Sequence, residues 1–156
     1  MKAFFLVGMA ALFISGCADT SAQKQEQYRD ISTCDVSEAK SAGDQLNKVS
    51  FANMLTSEAA IDSLERMTEK NKLDTLQIIG WDQGVAQSVS DCYRQKRIHR
   101  INQTATEFNK IKEKTSNKEE RSALISAYSA WEAYIKNPSP VAENDFQQKV
   151  SYYKNM

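Results

Sequence analysis

The chain has 156 residues, with 20 lysines and arginines against 20 aspartates and glutamates and a formal net charge of zero. That balance excludes the global basic field by which nucleic-acid-binding domains collect phosphate. The length suits one domain with a real core.

The first elements in chain order are a minimal positive n-region, Met1-Lys2, and the stretch Ala3 to Ile14, apolar at every position. A run of about a dozen residues falls short of the roughly twenty that span a bilayer as a helix, so it has the form of a signal-peptide h-region. Ile14-Ser15-Gly16-Cys17 then sets an aliphatic residue, a small residue and glycine directly before a cysteine. Together these residues resemble a bacterial lipoprotein signal ending in its lipobox. The resemblance implies removal of residues 1–16, diacylation of the Cys17 sulfur and acylation of the new amine. At about 0.8 kcal/mol per buried methylene, two or three acyl chains hold a small protein on a membrane. Ala18 follows the anchor and aspartate comes one place later, at Asp19. In the sorting rule of such lipoproteins this favours the outer membrane, with the protein facing the periplasm.

With Cys17 acylated, Cys34 and Cys92 remain as an even pair in an oxidising compartment, where a disulfide is the default. A metal pair would need more soft ligands, and His99 is the only histidine. No metal or cofactor is therefore expected. Residues 18–33 are mostly polar and lack a sustained apolar stripe, so residues 17–33 read as the lipidated cysteine and a flexible tether, with a short helix in the Gln-rich part as the alternative. The folded domain is expected over 34–156.

Helix signals recur through that domain, with only two prolines and few alternating β-branched runs. Asp35-Val36-Ser37-Glu38 fits a capping box, predicting a helix over 36–48. Ser57 can cap a second, in which Ala60, Ile61, Leu64, Met67 and Thr68 form an apolar stripe and Asp62, Glu65, Arg66 and Glu69 the polar side. Leu73, Leu76 and Ile79 begin another stripe that resumes at Val85, Val89 and Cys92. Gly80-Trp81-Asp82-Gln83-Gly84 lies between as either a turn or a helical stretch. Ile98, Ile101, Ala105, Phe108 and Ile111 or Lys112 give the cleanest stripe, broken at Thr115-Ser116-Asn117. Asn117 caps a helix that buries Leu124, Tyr128, Trp131 and Ile135 and stops at Asn137-Pro138. Ser139-Pro140 starts a last helix carrying Phe146, Val150 and Tyr153. The sum is an all-α bundle of five or six helices, stapled by Cys34–Cys92.

Charge is polarised along the chain: residues 92–118 hold eight basic and two acidic side chains, whereas 35–91 hold five basic and ten acidic. Arg94, Lys96, Arg97 and Arg100 are thus candidates for a basic surface facing acidic headgroups or an acidic protein, or else for pairing with the acidic helices of the same bundle. Lone His99, among cations, reads as solvated. Tyr152 and Tyr153 cannot both face the core, and both are placed with the basic cluster in the candidate binding patch. The chain carries no His-Glu-x-x-His, no Gly-x-Ser-x-Gly, no phosphate-cradling glycine loop and no free cysteine nucleophile, so no catalytic residue is nominated and an enzyme is not expected.

Ala127-Tyr128-Ser129-Ala130-Trp131-Glu132-Ala133-Tyr134 resembles the C-terminal helix of a family of small secreted helical proteins that includes lysozyme inhibitors, although the arginine and cysteine usual after it are absent. Anchor, size, helicity and one disulfide are similar to the helical pilotins. These features imply an outer-membrane-anchored binding or accessory module for an envelope complex, partnered by the membrane and by a protein and not by nucleic acid. The alternative is an inhibitor or immunity protein that blocks an enzyme such as a wall hydrolase.

Overall fold

A computed structural model describes residues 20–34 and 46–156. The signal, the lipobox with Cys17, the box at Asp35–Glu38 and most of the helix expected over 36–48 lie outside the described residues. The described residues form five helices: α1 Thr20–Ser32, α2 Lys48–Ile79, α3 Gln83–Lys114, α4 Lys118–Lys136 and α5 Pro140–Asn155. The Cys34–Cys92 bridge is present, with its Cα atoms 5.8 Å apart. The disulfide-stapled all-α bundle is therefore the fold.

Local chemistry explains the helix ends. The Asn47 side chain accepts from the Ser50 amide at 2.9 Å, and Ser50 Oγ accepts from the Asn47 amide at 2.8 Å. This reciprocal cap starts α2 at Lys48, ahead of the start expected at Ser57. The helices expected from Ser57 and from Leu73 are accordingly one continuous α2. At the other end Gly80 has φ 122° and donates its amide to the Leu76 carbonyl at 3.1 Å. The Lys24 ammonium and the Tyr28 hydroxyl lie close to this position, and its positive φ is what calls for glycine. Asp82 then caps α3 by accepting from the Val85 amide at 3.0 Å. Gly80 to Asp82 are thus the turn, and Gln83 and Gly84 already belong to α3. Asn117 caps α4, and Ser139 with Pro140 starts α5, as their sequences predict.

α2 and α3 are each 32 residues long, about 48 Å at 1.5 Å per residue, and run antiparallel. α4 and α5 pack against each other and against the half of this hairpin remote from its turn. Their core holds Phe51, Leu55, Phe108, Leu124, Trp131, Ile135, Phe146 and Tyr153. Phe108 stacks on Tyr128 with centroids 4.2 Å apart, and Tyr128 leads on to Trp131 at 5.8 Å. A second, smaller cluster of Ile31, Val89, Cys92 and Tyr93, flanked by Leu73, Ile79 and Val85, lies nearer the turn.

α1 corrects the expected tether: residues 20–32 take the helical alternative and pack on α2 and α3. Good helix formers fill it, and its docking uses four ties. Ile31 is buried, the Tyr28 hydroxyl donates to the Gly80 carbonyl at 2.7 Å, Lys72 Nζ donates to the Thr33 carbonyl at 2.8 Å, and Cys34 is bridged to Cys92. Burial, then the Lys96 charge, hold the Lys72 amine below the usual lysine range. With Ile31 as its buried apolar side chain, α1 depends on its bridge. Replacing Cys34 and Cys92 by serine should cost about 2–4 kcal/mol in urea unfolding, and amide exchange in α1 should accelerate far more than in α4. Equal acceleration in both helices would contradict this docking.

Candidate functional site

The basic residues singled out in the sequence mostly face inward. Arg100 is 6% exposed. Its Nε donates to Glu58 at 2.9 Å, Nη1 to Asp62 at 3.2 Å and Nη2 to Glu65 at 2.9 Å. Arg66 Nε donates to the other Asp62 oxygen at 2.6 Å and its Nη2 to the Ile135 carbonyl. Arg97 pairs with Glu69 at 3.1 Å and Lys96 with Glu65 at 3.7 Å. Arg94 is exposed but paired to Asp91 at 2.7 Å. Donation from Arg94, then from Gln87, holds the Asp91 carboxyl below its usual range. The candidate patch is therefore corrected: Lys96, Arg97 and Arg100 join α3 to the acidic side of α2. Two desolvated complementary faces satisfy each other there, which is the pairing that polarised charge also allowed.

Tyr153 is fully buried and leaves the patch, while Tyr152 is 57% exposed beside a shallow depression bordered by Glu119, Ser126 and Lys149. His99 is half-buried instead of solvated, and its Nε2 has no hydrogen-bond partner among the described residues. Cys17 lies outside the described residues.

The same ion pairs produce a feature that sequence reasoning missed. Since the charged side of α2 faces α3, its apolar stripe faces out: Ile61 is 43% exposed, Leu64 63% and Met67 60%. The stripe expected in the core is thus on the surface. Part of it forms one wall of an open groove of about 660 Å³ between α2 and α5, with Ala59, Ala60, Leu64, Tyr134, Phe146 and Val150 as its apolar lining. Glu143 and Lys154 stand towards opposite ends of the α5 wall, and Lys154 Nζ donates to Asn53 at 2.9 Å. Burial, then Glu143, keep the Tyr134 phenol above its usual range. The signal that could have found this groove is charge complementarity between residues 58–69 and 96–100, which competes with the amphipathic pattern for the α2–α3 interface.

Burial at these positions has measurable consequences. Arg100→Met should destabilise the protein by about 3–5 kcal/mol, because it removes the cation shared by three carboxylates, Asp62 among them fully buried. Arg100→Met combined with Asp62→Leu should recover part of this in urea titrations, and no recovery would mean that the pair is not the cause. Burial also pushes the Tyr153 and Tyr128 phenols up to about 12. The folded state therefore favours the neutral phenols, a contribution fully present below about pH 10 and lost as pH rises towards 12. Tyr153→Phe should flatten that alkaline loss in thermal melts.

Among the described residues no helix is long and apolar enough to cross a membrane. Compared with known protein families, curated proteins and solved structures, the chain matches none.

Proposed function

We propose that this protein is a lipid-anchored accessory module of the bacterial outer membrane, facing the periplasm, that takes up an amphipathic helix of an envelope protein in the α2–α5 groove. The observation that carries the proposal is the outward apolar stripe of α2. Ile61, Leu64 and Met67 each forgo part of the roughly 1.5–3 kcal/mol that full burial of such a side chain contributes, and contiguous exposed apolar surface of this kind marks interaction sites. A helix suits the groove because its walls are themselves helices, and because Glu143 and Lys154 complement the positive N-terminus and negative C-terminus of a helix lying parallel to α5. The anchor is the acylated Cys17 that the lipobox implies.

The test uses the full chain in its own envelope, with a photo-crosslinking residue at Leu64. The proposal expects an adduct with an envelope protein. It also expects Leu64→Glu with Met67→Glu to remove the adduct and reproduce the deletion defect while the melting temperature stays within a few degrees. A defect-free double variant, or an undiminished adduct, overturns the groove. An adduct with a soluble wall hydrolase, with function retained by Cys17→Ser, selects the inhibitor reading instead.

A further inference from the structure

The path of α1 determines which end of the hairpin lies next to Thr20, the first described residue. Along α1, Lys24 and Tyr28 meet Gly80, whereas Thr33 meets Lys72 and Cys34 meets Cys92. The helix therefore runs parallel to α3, with its first residue at or beyond the Gly80–Asp82 turn. Cys17 precedes Thr20 by three residues, a reach of at most about 11 Å. On the anchor reading, acyl chains on that sulfur are tied within that reach of Thr20, the end of α1 that lies at the turn.

The turn has the chemistry of a membrane contact. Ile78 is 85% exposed and Trp81 52% exposed. From Thr75 to Ser90 the only charged residue is Asp82, whose carboxylate caps α3. Lys24 beside Gly80 adds a cation at headgroup level. An exposed tryptophan with an aliphatic neighbour and little charge suits the interface, where the indole buries its ring and keeps its N–H wet.

We propose that the α2–α3 turn is a second membrane contact, in which Ile78 and Trp81 enter the phospholipid interface beside the acyl chains of Cys17 and stand the hairpin upright. This rests on the anchor reading above. In that orientation the groove, bordered by residues 56–64 of α2, is held roughly 25–35 Å from the turn along the helix.

The experiment takes the full chain expressed in a bacterial host, purified from membranes and placed in phosphatidylcholine–phosphatidylglycerol vesicles with brominated acyl chains. The mass of the N-terminal peptide is read on the same sample. The proposal expects quenching and a blue shift of tryptophan emission that Trp81→Phe abolishes, Trp131 being fully buried. A tryptophan placed at Ile125 in the Trp81→Phe chain should stay unquenched. Acylated protein whose Trp81 emission is unchanged by brominated lipid overturns the contact and leaves the anchor standing. An N-terminal peptide without acyl chains overturns both.

Discussion

Arg100, held between Glu58, Asp62 and Glu65, is the constraint on which the rest of the structure depends. A guanidinium with three carboxylate partners tolerates little sliding of α3 along α2, because each shift would strand a buried charge. Arg97–Glu69 and Lys96–Glu65 repeat the lock towards the turn. The hairpin register is thereby set by charge in its middle, and apolar packing is divided between the clusters on either side.

The orientation of α2 follows from this lock. A helix offers its core partner one face, and on α2 that face carries Glu58, Asp62, Glu65 and Glu69. Ile61, Leu64 and Met67 are displaced outwards as a consequence, and α5 covers only part of the stripe. An exposed face is thus produced by an internal ion-pair layer, which ties the candidate docking groove to the electrostatics of the α2–α3 interface.

The two ends of the hairpin differ in kind. Near the turn there is a small cluster, a docked α1 and a disulfide; at the far end, a four-helix core with stacked aromatics. Under the proposed anchoring, α1 converts lipidation of Cys17 from a loose attachment into one that orients the body. On that proposal, the bridge at Cys34 fixes the end of α1 remote from the anchor.

Sequence by itself determined what depends on neighbouring residues: the all-α class, the caps at Asn117 and Ser139, the breaks at 115–117 and 137–138, the Cys34–Cys92 pairing, and the burial of Trp131, Phe146 and Val150. Each rests on short-range hydrogen bonding, on a dominant apolar pattern or on thiol parity. The tether over 17–33 failed over residues 20–32 because the ties of α1 are to residues 72, 80 and 92, distant in sequence. The apolar stripe of α2 was legible as a stripe, yet its direction was not. Only the tertiary structure decided that the charged faces of α2 and α3 meet, because complementarity between two helices is a property of the pair and neither helix carries it alone.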